Sequence, residues 1–222
     1  MSTRCDGHWN PPLDLACGSA PLQPGLSSRR DGGRYVGADL SAGELTAARR
    51  AGRGPLVRAD ATAIPLTDGG VDTVVCSMGL MILPRLPAAL SEIRRVLVPG
   101  GLLVATVPAA GPLRLLDVLV VGGLLAGLGR ALSYPNDAAM RRMAPVLARA
   151  GLRLEADERY RFGYRPRDAA DADGFLSSLY LPGLPDRRYR RARTYLRALT
   201  RAGVELPIPI RRIVARAEDM PR

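Results

Sequence analysis

Five short apolar runs recur across the first half of the chain, each closed by turn residues, and this alternation restricts the fold more than any other feature. They are "PLDLAC" ending at Cys17, "RYVGADL" ending at Leu40, "PLVRADA" ending at Ala61, "VDTVVCSM" ending at Met78 and "LLVATVP" ending at Pro108. Apolar runs of this length suit strands covered on both faces. Strands separated by helices join in parallel through right-handed crossovers. The expected core is therefore doubly wound α/β.

The intervening segments carry helix signals. Pro21 and Pro24 are tolerated only in a first turn, so a helix is expected to begin near Leu22 after a long loop. Ser41 with Glu44 forms a capping box for a helix carrying Leu45 and Ala48, and Gly52 ends it. Leu86, Leu90, Ile93 and Leu97 repeat at helical spacing before a turn at Pro99, Gly100 and Gly101. Beyond Pro112 the pattern changes. Residues 115–132 are strongly apolar, but only Val118 to Gly129 is free of charge, short of the ~20 residues a spanning helix needs. Gly122, Gly123, Gly127 and Gly129 predict a loose, mobile segment there. Met140, Met143, Leu147 and Ala150 line one helical face ending at Gly151. A strand at "LRLEADERYRF", polar-apolar segments at 168–181 and 187–203, and a strand at "IPIRRIVARAE" follow, and the two strands are expected to pair as an antiparallel edge.

The first loop narrows the ligand. "LDLACGSA" resembles half of a dinucleotide fingerprint, but only Gly18 stands in place, with Ala16 and Ala20 where glycines would be. Asp39 lies 21 residues beyond Gly18, at the spacing of an acid that accepts ribose hydroxyls. A pyrophosphate needs bare glycines and a tight helix entry, which alanines and a proline-delayed helix do not offer. A nucleoside without phosphates fits better, and S-adenosylmethionine is such a ligand.

The formal charge of +11 comes without a single lysine, a bias that a GC-rich coding sequence would produce. The helix at 187–203 has an apolar face of Tyr189, Ala192, Leu196 and Leu199, with Arg187, Arg190, Arg191, Arg197 and Arg201 on the rest. No aromatic residues interleave with those arginines to stack bases, so the face reads as solvated and nucleic acid is not the expected partner. Cys5, Cys17 and Cys76 are odd in number and widely spaced, which suits a reducing compartment. Cys5 and His8 alone do not make a metal site, and none is expected. The start of the chain lacks a signal-peptide pattern, so a cytoplasmic location is expected.

Four segments in order carry a family resemblance: "LDLACGSA", "YVGADLSAGEL", "RADATAIPLTDGGVDTVVCSMGLMIL" and "LSEIRRVLVPGGLLVATVP". The chain resembles the class I S-adenosylmethionine-dependent methyltransferases, in the type 11-like branch that methylates small molecules. The resemblance covers residues 12–109 strongly and the rest loosely. It implies a Rossmann-like, mainly parallel seven-stranded sheet with an antiparallel C-terminal edge hairpin and a helical insertion. One methyltransferase domain spans residues 1–222 in this reading, with a cofactor-binding core at 12–109, an apolar cap at 112–135 and a part at 136–222 that completes the sheet and the substrate side.

The resemblance also implies roles. Asp14 and the backbone of Ala16 to Gly18 hold the methionine end of S-adenosyl-L-methionine. Asp39 accepts the ribose hydroxyls, Leu40 packs on adenine, Asp60 and the Ala61 amide address the adenine edge, and Ser77 lines the methyl-donor path. No catalytic base is assigned; His8, Tyr134, Tyr160, Tyr164 and Tyr180 are unranked polar groups. Fewer residues precede the first strand than such enzymes normally have, so either the start is misassigned or residues 112–135 form the lid. The expected acceptor is a small lipophilic molecule, with peripheral membrane contact as a further expectation. An RNA-modifying methyltransferase and a non-catalytic cofactor-binding scaffold are the alternatives.

Overall fold

The computed structural model describes residues 11–27 and 35–218. Cys5 and His8 lie outside the described residues. The described residues form two compact units: those up to 107, with 135–157 and those from 212, form the first, and residues 108–134 and 158–211 the second.

The first unit contains the parallel strands the apolar runs predict. They are β1 (Leu13–Leu15), β2 (Val36–Asp39), β3 (Leu56–Arg58), β4 (Val71–Ser77) and β5 (Leu97–Pro108). Two long strands, β6 (Leu152–Tyr164) and β7 (Leu206–Ala217), complete a seven-stranded sheet in the order β3-β2-β1-β4-β5-β7-β6, the C-terminal strands antiparallel. β1 pairs in parallel with both β2 and β4, so the strand order reverses there. Such a reversal opens a crevice at the carboxyl ends of the strands.

The helices of this unit are α1 (Gln23–Ser27), α2 (Ala42–Arg50), α3 (Leu86–Val96), α5 (Asp137–Arg141) and α6 (Met143–Ala148). Ser41 caps α2 by accepting the Glu44 N–H, as its spacing predicts. α3 buries Leu86, Ala89, Leu90, Ile93 and Val96, and alternate β5 residues Leu103, Ala105 and Val107 are buried with them.

Two local readings of the sequence are corrected. The expected turn at Pro99, Gly100 and Gly101 lies inside β5, where Val71 pairs with Leu97 and Thr73 with Leu102. Three extra residues are thus looped out as a bulge, with Gly100 at φ 73, a conformation glycine reaches at no steric cost. The single helix expected over Met140 to Ala150 is broken at Arg142, with φ −122 and ψ 45. Pro145 supplies the reason: it has no N–H for the Arg141 carbonyl and its ring crowds that group, so a new helix must start within the turn before it. Met140, Met143 and Leu147 are nevertheless buried together, as their spacing predicts.

The second unit holds α4 (Leu115–Leu128), α7 (Ala169–Ser178) and α8 (Asp186–Arg201). Leu124, Leu128, Ala172, Leu176, Ala192, Leu196 and Leu206 form its core. Tyr134 and Tyr180 lie 5.9 Å apart by ring centroid, and Tyr164 stacks on Phe175 at 5.8 Å. Asp117 is buried and receives two hydrogen bonds from the Arg161 guanidinium, at 2.6 and 2.8 Å, while Arg161 also reaches Glu205 at 2.9 Å. These bonds hold the Asp117 carboxyl at about 2, below the usual carboxylate range.

Of the glycines expected to loosen residues 112–135, Gly122, Gly123 and Gly127 sit in α4 and Gly129 caps its end in a left-handed conformation. A Cβ on Gly123 would overlap the Tyr195 ring, and one on Gly127 would lie 3.2 Å from the Ala192 backbone, so their role is to admit α8 closely. Gly122 faces open space. Gly122→Ala is therefore expected to raise stability by about 1 kcal/mol through helix propensity alone, whereas Gly123→Ala should lower it by displacing Tyr195. Thermal melts of the two variants check this, and equal shifts would contradict the packing role.

Candidate cofactor site at the carboxyl ends of the parallel strands

The strand register sets the geometry. Leu15 pairs with Ala38 and Asp14 with both Gly37 and Val75, so Ala16, Asp39 and the segment around Ser77 lie level at the carboxyl ends of β1, β2 and β4. Asp39 pairs with Arg58, which puts Asp60 and Ala61 just past the end of β3. Seven of the eight residues predicted for the cofactor thus fall on one edge of the first unit, and Asp14 lies further back, inside β1.

Asp39 is the best-organised of them. Its Oδ2 accepts the Gly18 N–H at 2.8 Å and its Oδ1 accepts the Ser41 N–H at 2.8 Å. Each oxygen keeps a second lone pair, the number two vicinal hydroxyls require. Leu40 beside it is 56% exposed, an apolar surface open to a ring. The carboxylate, the exposed leucine and the small loop after β1 fit the ribose and adenine of S-adenosylmethionine.

Asp14 is placed differently from a direct ligand. It is 1% exposed and accepts a 2.8 Å hydrogen bond from the Tyr35 hydroxyl. Burial raises its carboxyl to about 6 despite that bond, with the Asp39 charge adding to the effect. Asp14 is therefore a charge beneath the loop. Cys17, next to it, is pushed up to about 12 by burial and by Asp14, which makes it a packing residue rather than a nucleophile.

Asp60 is exposed and its Oδ1 accepts both the N–H and the hydroxyl of Thr62, each at 2.8 Å. These bonds, with Arg85 3.6 Å away, hold its carboxyl below the usual range. Ala61 is buried. The Ser77 hydroxyl shares a 2.9 Å hydrogen bond with that of Thr106 on β5, which fixes its direction.

The loop conformation explains the alanines. Ala16 and Ala20 both have φ 56 and Gly18 has φ 55, so the chain takes the left-handed turns that glycine would favour. The other non-glycine residues at positive φ among those described are Met78 and Arg85, both between β4 and α3. Strain of this kind is retained where surrounding structure imposes it, and it gathers at sites. Ala16→Gly should relieve ~1 kcal/mol of it. Ala20, at 0% exposure, would lose about as much in methyl burial as it gained. Chemical denaturation should show Ala16→Gly stabilised and Ala20→Gly near wild type.

Several supporting residues escaped the sequence reading. Arg53 donates to the Ser19 carbonyl at 2.6 Å, and Gln23 exchanges hydrogen bonds with the Gly54 backbone, tying the first loop to the turn before β3. Arg95 donates to Glu92, Asp68 and the Leu66 and Ile64 carbonyls, all at 2.7–2.8 Å, clamping the segment after Asp60. Only the segment "LSEIRRVL" carries a signal for this, through its paired Glu92 and Arg95.

Residues 13–105 match a family model described as a methyltransferase domain. A demethylmenaquinone methyltransferase of Thermus thermophilus is 43% identical over 97 residues, which is 41% of this chain and 44% of the relative. One from Beutenbergia cavernae is 35% identical over 132 residues, 57% of this chain and 53% of the relative. The alignments thus span about half, or less, of the length of these curated relatives. The structure is similar to the YcgJ protein of Bacillus subtilis, with a TM-score of 0.58 at 15% identity, covering 96% of this chain and 93% of that one. The matched strands are those that carry Asp14, Asp39 and Ser77. Residues 13–105 are thus similar to a methyltransferase domain, the kind of domain that the motifs of the sequence resemble.

Proposed function

We propose that this protein transfers a methyl group from S-adenosylmethionine to a small lipophilic acceptor. The observation that carries the reading is the Asp39 carboxylate, fixed by the Gly18 and Ser41 amides beside the strand-order reversal. The relatives named demethylmenaquinone methyltransferase support a lipophilic acceptor.

Bound S-adenosylmethionine supplies an electrophilic methyl on a sulfonium. The protein's part is placement. Asp39 accepts the two ribose hydroxyls, Leu40 covers the adenine ring, and Asp60 with the Ala61 amide reads its edge. Ala16 to Gly18 offer backbone groups to the methionine end while Asp14, ionised above about pH 6, provides negative potential beneath that cationic end. Ser77, oriented by Thr106, lines the approach to the methyl group. Holding an acceptor in line supplies much of the acceleration without a protein base.

The test is transfer of labelled methyl from S-adenosylmethionine to a prenylated demethylnaphthoquinol. Stable incorporation into the organic phase supports the reading. Cofactor binding with labelled tRNA or rRNA as the only product would replace the acceptor class.

A further inference from the structure

We propose that the second unit docks on a lipid bilayer bearing anionic headgroups, through the exposed face of α4 and the arginine cleft of α8. The proposal rests on the surface of that unit, independently of the cofactor reading.

A helix this apolar is normally buried on all sides. Leu115, Leu116, Val118 and Leu119 of α4 are instead 83%, 72%, 53% and 66% exposed. Gly122 and Ala126 continue the exposed side. The single charged residue within α4, Asp117, is turned inward and held by Arg161. Nothing polar on α4 interrupts the exposed face, and a contiguous apolar patch of this kind marks a surface that is covered in use.

Charge lies directly alongside. The Tyr195 hydroxyl donates to the Val120 carbonyl at 3.1 Å, joining α8 to the middle of α4. Tyr195 also walls an open cleft of about 460 Å³, together with Arg187, Arg190, Arg191 and Thr194. Among the described residues, no carboxylate pairs with Arg187, Arg190 or Arg191. Their neighbours on the same helix do find partners: Arg193 and Arg197 both meet Asp173. Positive charge is thus left over on the part of α8 that lines the cleft. Guanidinium groups match phosphate in planar, two-pronged hydrogen bonds.

An apolar helix face beside unpaired arginines is the pattern of an element lying in the plane of a membrane interface, leucines among the acyl chains and cations at the phosphates. The combination favours a bilayer over RNA. A nucleic acid would use the arginines but leave the leucines uncovered. The cleft also lacks a free ring for stacking, because Tyr195 packs over Gly123 with its hydroxyl engaged.

Flotation with vesicles of phosphatidylcholine alone, and of phosphatidylcholine with about 30% phosphatidylglycerol, tests the proposal. The full chain should float with the charged vesicles, less so as salt is added. Leu115→Ser with Leu119→Ser, both at exposed positions, should cut partition at least tenfold. The triple change Arg187→Ser, Arg190→Ser and Arg191→Ser should cut partition into the charged vesicles about a hundredfold. Circular dichroism and calorimetry with S-adenosylmethionine on each variant separate loss of docking from loss of the fold or the cofactor site. No flotation of the wild type, or flotation unchanged by the leucine pair, overturns the proposal. So does binding of a generic structured RNA that survives the leucine changes in a protein that ignores vesicles.

Discussion

Asp39→Ala is expected to weaken S-adenosylmethionine binding by roughly ten- to a hundredfold, since hydrogen bonds to a charged group contribute ~1.5–3 kcal/mol. The ground for this is the orientation of the carboxylate. The Gly18 and Ser41 amides aim one oxygen each, so no side-chain freedom remains to be lost when two hydroxyls arrive. The amides left behind by the substitution are near solvent and can turn to water, so the melting temperature should change little. Calorimetric titration of the variant, beside its thermal melt, separates the two effects. An affinity equal to wild type in a folded variant would remove Asp39 from the site.

Asp14 should govern how stability depends on pH. Its carboxyl is raised to about 6 in the folded protein from an ordinary 3.8, chiefly by burial. A raised acid holds its proton more tightly when folded, so its contribution favours the native state below about pH 4. That contribution fades as pH climbs through about 6, a difference of ~3 kcal/mol. Asp14→Asn keeps the shape and an acceptor for Tyr35 and carries no charge. The variant should therefore exceed wild type in stability at pH 8, and the two should converge near pH 4. The same variant should bind S-adenosylmethionine less well at pH 8, where the wild-type charge faces a cationic ligand. Urea unfolding at the two pH values reads the first effect. A constant stability gap between wild type and variant across this range would mean that Asp14 ionises normally.

The parallel core was legible because its signal is local. Each of β1 to β5 contains an apolar run closed by turn residues, a signal that needs no knowledge of distant residues, and Ser41 caps its helix through a residue three positions away. Asp39 stands at a fixed spacing from Gly18 in the sequence, and the structure brings its carboxylate to the Gly18 amide. What escaped depends on contacts across the fold. Tyr35 sits in a strand run like any aromatic, and only the register of β1 on β2 brings its hydroxyl to Asp14. Arg53 and Gln23 meet the opposite loop across more than thirty residues of sequence.

The glycines of α4 show how a correct local rule can lose to packing. Each costs helix propensity, which argues for a loose segment, but two of them open the groove into which Tyr195 and Ala192 of α8 fit. The docking reading of this segment stands on its exposed leucines and not on looseness. Pro145 is the reverse case. Its local rule was available in the sequence, yet the periodicity of Met140, Met143 and Leu147 masked it, because a break at Arg142 leaves all three buried.

We expect the edge formed by Asp39, the β1 loop and Asp60 to hold a nucleoside without phosphates. Calorimetry of the wild-type chain with S-adenosylmethionine, its demethylated product and NAD addresses it most directly. Binding of the first two at a single site with no heat from NAD is the predicted result. Tight binding of NAD, with neither sulfur-containing nucleoside recognised, would contradict it.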